Sequence, residues 1–216
     1  LSSLGQVADH VDGFLLDAFG VLNIGETAIA GAVERMACLR RRGKRLTVLT
    51  NAASYTTRWD TIDAKVTIVE YASVTCHHCM NFHMETWPKL KEKYIDTGKI
   101  RFIMREFPLD TLATAGFMLA RCAGDDRWYP MLDLLYRSQE SWAHAKNPAD
   151  ELFNTVKQAG MTKDSFEACL GDQKLLDGIN KTRTRGTELG VNSTPTFFIN
   201  GQKHLGAMSI EQFDKI

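Results

Sequence analysis

Hydrophobic and polar positions along the chain switch repeatedly between a period near two and a period near 3.6. Gly13-Phe14-Leu15-Leu16-Asp17 is a short apolar run ending in an acid, and Ala32, Val33, Met36 and Leu39 form one stripe within Ala30 to Arg42. Gly43 stops that stripe, and Arg45 to Thr50 reads as a strand. This is one βαβ unit, which needs neighbours to bury both faces of its sheet. Val66 to Tyr71 is rich in β-branched residues and predicts a strand. A helix is predicted from about Cys76, with Met80, Met84, Trp87 and Leu90 on its buried side and a kink at Pro88. Ile100 to Glu106 predicts the next strand.

Helices then follow with no strand between them. Leu112, Ala115, Leu119 and Cys122 share one helical face, and Trp128 to Arg137 is the next helix. Asn147-Pro148 opens another and Gly160 ends it. Thr162 to Leu170 and Gln173 to Leu189 complete the block. Thr196 to Ile199 and Gln202 to Leu205 read as a hairpin about Asn200-Gly201. Ser209-Ile210-Glu211-Gln212 is a capping box opening a last helix that the chain end cuts short. The predicted architecture is α/β. Residues 61–216 form a sheet domain with a helical insertion at about 111–189. Residues 1–60 form a partial, Rossmann-like βαβ unit.

Length sharpens this division. At ~150 residues per domain, 216 residues make about one and a half domains. Charge is balanced at 26 basic and 26 acidic residues, which gives no bulk attraction to nucleic acid or to an anionic membrane. The basic run Arg40, Arg41, Arg42, Lys44 and Arg45 reads as a solvated helix C-terminus. The chain opens on Leu1 rather than Met, so it is read as a processed or excised product. No signal peptide shows in Leu1 to Gly13.

Five cysteines carry the chemistry. Cys76-His77-His78-Cys79 follows a predicted strand and opens a predicted helix. A thiolate in a first helical turn faces unpaired N–H groups and the positive end of the dipole, and both make it more acidic. The spacing lets the two sulfurs close a small ring, with Cys76 expected exposed at the tip and Cys79 buried one turn in. The rival reading is structural zinc on Cys76, Cys79 and His83. A structural site needs a fourth ligand, and no second paired motif supplies one.

Residues from about 62 to 216 resemble the DsbA-like thiol–disulfide oxidoreductases of the thioredoxin superfamily. The resemblance rests on Val69-Glu70-Tyr71-Ala72-Ser73-Val74-Thr75-Cys76-His77-His78-Cys79, on the helical insertion, and on Gly190-Val191-Asn192-Ser193-Thr194-Pro195-Thr196-Phe197-Phe198-Ile199-Asn200-Gly201. It implies a thioredoxin fold with Cys76 as the exchanging sulfur and Cys79 as its partner. It also implies that Glu70 is a buried acid relaying a proton from Cys79. His78 would stabilise the thiolate, and His77, in place of the usual proline, would tune the potential. Pro195 would be cis, exposing the Thr194 backbone to an extended substrate. The implied activity is disulfide introduction into reduced, unfolded polypeptides outside the cytoplasm, in the periplasm or its equivalent. The implied protein is a monomer served by a membrane quinone-linked reoxidase, with no cofactor, metal or nucleic acid. A disulfide reductase or isomerase on the same fold is the alternative direction.

The remaining cysteines take structural readings. Cys122 and Cys169 are either buried thiols or a disulfide joining two helices, and an oxidising compartment favours the disulfide. Such a ring of about 48 residues contributes roughly 4 kcal/mol in the chain-entropy model. Cys38 reads as a buried thiol. Met80, Met84, Met118 and Trp87 read as core or groove lining, and His10, His144 and His204 as surface residues.

Gly13 to Leu22 and Leu46 to Ala52 resemble motifs I and II of haloacid dehalogenase (HAD) phosphatases. The resemblance would make Asp17 the phosphoryl nucleophile and Thr50 the phosphate contact. Phe19 stands where that family carries its general acid, and a phenyl ring donates no proton. No lysine motif or late acidic strand follows. The expectation is a fragment joined by fusion and without phosphatase activity; a phosphate-binding remnant on a thioredoxin scaffold is the alternative.

Overall fold

A computed structural model of the chain describes residues 13–17, 23–24, 27–28, 38–39, 41, 45–49 and 64–216. The chain divides into two units, Leu1–Ser54 and Tyr55–Ile216. In the first unit the strands are β1 (Gly13–Asp17), β2 (Asn23–Ile24), β3 (Thr27–Ala28) and β4 (Arg45–Leu49). β1 and β4 pair in parallel, with Gly13 opposite Arg45 and Asp17 opposite Leu49. β2 and β3 form an antiparallel ribbon that periodicity did not predict, because pairs this short leave no alternation to read. Thr50 and His10 lie outside the described residues. Of the helix expected at 30–42, Cys38, Leu39 and Arg41 are described, and all three are helical. Leu39 is buried, whereas Cys38, expected buried, is exposed. Neighbours on a helix point about 100° apart, so an inward Leu39 turns Cys38 outward.

The second unit is built on β5 (Val66–Ala72), β6 (Ile100–Glu106), β7 (Thr196–Ile199) and β8 (Gln202–Leu205). They form one mixed sheet in the order β6-β5-β7-β8. β5 runs parallel to β6 and antiparallel to β7. Its alternating side chains feed two cores, as a strand period of two requires. Ile68 and Ala72 join the large core with Phe102, Met104 and Phe197. Tyr71 joins a smaller one with Phe107 and Val191, against Val69 and Phe198. A strand covered on both faces is apolar almost throughout, which is why Val66 to Ala72 shows little alternation.

A composite helix, α1, follows β5 through His77–Asn81, Phe82–Thr86, Trp87–Leu90 and Lys91–Ile95. Its second and fourth stretches are π-helical. A π turn takes more residues per revolution and rotates the sequence relative to the core. The buried positions are therefore Cys79, Phe82, His83, Thr86, Leu90 and Ile95, while Met84 is exposed and Met80 and Trp87 are half-buried. This corrects the expected stripe. Pro88 sits where a π turn gives way to an α turn, so its missing N–H is absorbed there.

The insertion between β6 and β7 consists of α2 (Thr111–Cys122), α3 (Trp128–Arg137), α4 (Gln139–Ala143), α5 (Pro148–Lys157), α6 (Lys163–Leu170) and α7 (Gln173–Glu188). Asp110 caps α2 by accepting from the Ala113 N–H at 2.6 Å. Thr162 and Ser165 form a reciprocal capping box on α6. Phe117, Trp128, Leu132, Leu135, Trp142, Leu152 and Ile179 fill the interior almost without exposure. Each such side chain contributes roughly 1.5–3 kcal/mol by leaving water. Cys122 and Cys169 form a disulfide between α2 and α6, with their Cα atoms 6.1 Å apart. Gly186 of α7 presses on the smaller core, where a Cβ would lie 2.8 Å from Tyr71 and 2.9 Å from Phe107. The short α8 (Ile210–Phe213) docks through Phe213, whose ring lies 6.0 Å from Phe82 and 5.4 Å from Phe197. Among the described residues, no helix is long and apolar enough to cross a membrane.

Candidate active site

The loop Ser73–Thr75 carries the chain from the buried end of β5 to the tip of α1. Cys76 is the N-cap residue, in extended conformation, and no side chain caps the helix. The first-turn N–H groups are therefore left to the sulfur. Cys76 donates its N–H to Ser73 O at 3.1 Å, and its carbonyl accepts from Met80 N at 3.0 Å. Thr75 Oγ1 donates to Asp110 Oδ2 at 2.8 Å, and Ser73 Oγ accepts from Leu109 N at 3.3 Å.

Cys79 is buried one turn in, as expected, but Cys76, expected exposed at the helix tip, is covered. Cys76 is only 8% exposed and Cys79 is fully buried. The segment before β7 covers Cys76. The Thr194–Pro195 bond is cis, and the Cys76 thiol donates to Thr194 O at 3.3 Å. The Thr194 hydroxyl is buried, otherwise unpartnered, and faces the same sulfur. Cys76 and Cys79 are free thiols, so this is the reduced form.

The electrostatics separate the two sulfurs. The Cys76 pKa is pulled down to about 5. The largest cause is the Cys79 thiol, which donates to the thiolate. Burial opposes it, and the Thr194 hydroxyl and the Cys79 and His78 N–H groups assist it. Cys79 is pushed well above the usual thiol value, first by burial and then by its bond to Cys76 and the negative charge of Glu70. Glu70 lies in the core beneath, its pKa raised to about 8 by burial and by the Cys76 charge. Tyr136 of α3 is buried in the same field and held neutral by desolvation and by Cys79, Glu70 and Cys76.

The two histidines of the motif are exposed. His78 acts on Cys76 through its backbone N–H. Its ring makes an edge contact with His77, the centroids 6.3 Å apart. His77 Nδ1 lies 3.3 Å from Glu140 Oε1 on α4. His83 Nε2 lies 3.3 Å from Asp133 Oδ1, its pKa lowered to about 4 by burial against the opposing pull of Asp133. Among the described residues, no three His, Cys, Asp or Glu side chains converge in a metal-binding group. His144 is exposed, and His204 is half-buried on β8 opposite Phe197.

The sequence did not single out Tyr136, Asp110, Gln139 or Glu140. Gln139 is fully buried and donates to Val74 O at 2.7 Å and to Cys76 O at 3.1 Å. α4 spans five residues, too short for a periodic signal.

The thioredoxin family model matches residues 61–216. The chain belongs to the thioredoxin family. Within it, a Rickettsia bellii protein named as a protein-disulfide oxidoreductase is 35% identical over 142 residues, covering 64% of this chain and 54% of the relative. A Bacillus anthracis protein named disulfide bond formation protein D is 28% identical over 146 residues, covering 64% and 67%. The chain spans about half the length of the rickettsial relatives it matches. Among solved structures, Wolbachia pipientis alpha-DsbA1 superposes with a TM-score of 0.66 at 32% identity, covering 70% of this chain and 83% of that one. This thioredoxin fold with its helical insertion is thus DsbA-like.

Proposed function

We propose that the chain is a protein-disulfide oxidoreductase that introduces disulfides into reduced polypeptides through Cys76 and Cys79, outside the cytoplasm. The observation that carries this reading is the placement of two thiols at the tip of α1, Cys76 against the cis Thr194–Pro195 peptide and Cys79 buried behind it, with the first made more acidic and the second less. In the oxidised protein a substrate thiolate attacks Cys76 Sγ, the S–S bond to Cys79 breaks, and Cys79 leaves with its electron pair. Glu70, whose carboxyl burial keeps protonated above the usual carboxylate range, is placed to give Cys79 a proton. A second substrate thiolate then attacks the substrate sulfur of the mixed disulfide, and Cys76 departs as a thiolate. Two electrons pass to the protein and one disulfide to the substrate. A thiolate of low pKa leaves fast and stabilises the reduced form, which favours the oxidising direction.

Thr194 and Pro195 would hold the extended substrate, His77 would tune the potential, and a membrane quinone-linked protein would restore the disulfide to the monomer. The test is stoichiometric: oxidised protein mixed with a reduced two-cysteine polypeptide, in a glutathione buffer of known ratio. The expected result is oxidised polypeptide and a potential nearer the ~−120 mV of strong oxidants than the ~−270 mV of thioredoxin. A value near the latter would assign reductase or isomerase work instead.

We further propose that residues 1–60 are a HAD-like fragment without phosphatase activity, joined by fusion. The parallel pairing of β1 with β4, with Asp17 at the end of β1, supports the fragment, and Phe19 supports its inactivity. Magnesium-dependent hydrolysis of an aryl phosphate that disappears on Asp17→Asn would sink this; no hydrolysis by either form is expected.

A further inference from the structure

Three residues of the helical insertion grip the loop that delivers Cys76. Gly116 of α2 lies so close to Val74 that a Cβ there would sit 2.8 Å from the valine Cγ2. Asp110 takes the Thr75 hydroxyl at 2.8 Å. Gln139 of α4 holds two main-chain carbonyls with a single amide nitrogen, Val74 O at 2.7 Å and Cys76 O at 3.1 Å. Two carbonyl acceptors fix the orientation of that amide, because only its nitrogen can donate to them.

The glutamine is not explained by packing. Its side chain is fully buried, and its Oε1 has no hydrogen-bond partner. A buried acceptor without a partner is a cost that a methionine of similar length would avoid. What a methionine cannot do is hold the two carbonyls. Those carbonyls bracket Thr75 and the first peptide of α1, and the Cys76 carbonyl also receives the Met80 N–H at 3.0 Å. Fixing them fixes the direction of the peptide planes that follow, whose His78 and Cys79 N–H groups face the Cys76 sulfur. No hydrogen bond from the exposed His78 ring reaches that sulfur, so the aim of these backbone groups matters more.

We propose that Gln139 is a positioning residue for thiol–disulfide exchange, its two N–H bonds to Val74 O and Cys76 O holding the tip of α1 so that its amides stay aimed at the Cys76 sulfur. The insertion then does more than enlarge the fold: through one side chain of α4 it sets how readily Cys76 leaves a disulfide. This rests on Cys76 being the exchanging sulfur.

The experiment is Gln139→Met in the full chain, read by two measurements: the thiolate absorbance of Cys76 against pH, and the equilibrium constant with glutathione. The titration midpoint is expected to rise by about one unit, a tenfold loss of thiolate below the midpoint. The equilibrium should move about tenfold toward the disulfide, or about 30 mV toward a weaker oxidant. Val156→Ala, a truncation in the buried face of α5, is the comparison: it should lower the melting temperature and leave midpoint and potential in place. An unchanged midpoint and potential in Gln139→Met would overturn the proposal. So would equal shifts in Val156→Ala, since destabilisation alone would then suffice. Should the methionine variant not fold, Gln139→Asn, which keeps the amide on a stem too short to reach both carbonyls, must raise the midpoint, and an unmoved one rejects the idea. A wild-type midpoint at the free-cysteine value rejects the assignment of Cys76 itself, whatever Gln139 does.

Discussion

At pH 6, reduced protein treated briefly with iodoacetamide is expected to carry its label first on Cys76, more slowly on the exposed Cys38, with Cys79 unmodified. With a pKa of about 5, Cys76 is roughly 90% thiolate at that pH, against ~0.3% for an ordinary thiol near 8.5. That is about a 300-fold advantage in reactive form. It is offset by lower intrinsic nucleophilicity, which costs about 25- to 55-fold over 3.5 units. The net expectation is a rate some fivefold to tenfold above a free thiol at pH 6. At pH 9 the order reverses, because both are then mostly ionised and the weaker base is the weaker nucleophile. Mapping the label and following its rate against pH tests this; a rate that climbs steadily to pH 9 without levelling near pH 5–6 defeats it. Cys76→Ala should reduce disulfide exchange to background. Cys79→Ala should keep a reactive Cys76, accumulate mixed disulfides, and raise the midpoint, since the Cys79 thiol is the main support of the thiolate.

The second large effect is on stability. In the oxidised protein, the free energy of unfolding is expected to fall between pH 5 and pH 8. Glu70 has a folded pKa raised from 4.5 to about 8, so the folded state holds its proton more tightly than the unfolded chain. Its contribution is fully present below the unfolded value and is lost as pH rises through the folded one. Burial is the first cause and persists on oxidation, while the Cys76 charge does not, so the loss is on the order of 3 kcal/mol. The reduced protein behaves differently. Its Cys76 pKa is depressed, so that contribution grows with pH above about 5 and opposes the loss at Glu70. The reduced form should therefore show the flatter profile. Glu70→Gln should flatten the oxidised profile as well. Urea unfolding at pH 5, 6, 7 and 8 decides it, and parallel slopes for oxidised wild type and Glu70→Gln would falsify the role given to Glu70.

Much of this was legible in the chain itself. β5, β6, the β7–β8 hairpin and helices α2, α3 and α6 announce themselves through β-branched runs, an Asn-Gly turn and caps. The Cys-His-His-Cys spacing gave the pair of thiols, and the resemblance supplied Glu70 and Pro195. The rest is geometry between distant segments. The accessibility of Cys76 depends on Thr194, 118 residues away, which no local pattern encodes. The buried face of α1 escaped periodicity because π turns alter the period itself. Gln139 is a polar residue with no local sign of burial, and its partners, Val74 O and Cys76 O, lie more than sixty residues away.

The position of β5 between β6 and β7 also bears on how the chain folds. Its parallel partner follows after one helix, but its antiparallel partner arrives only after the whole insertion has been made. Contacts this far apart in sequence form slowly, because the intervening chain must be closed into a loop first. During synthesis or refolding, the helix-tip donors can therefore reach Cys76 before Thr194 does. For that interval Cys76 lacks its Thr194 cover and lies open to the exchange chemistry proposed for the finished domain. A nascent copy of this protein is thus itself a reduced, incompletely folded polypeptide.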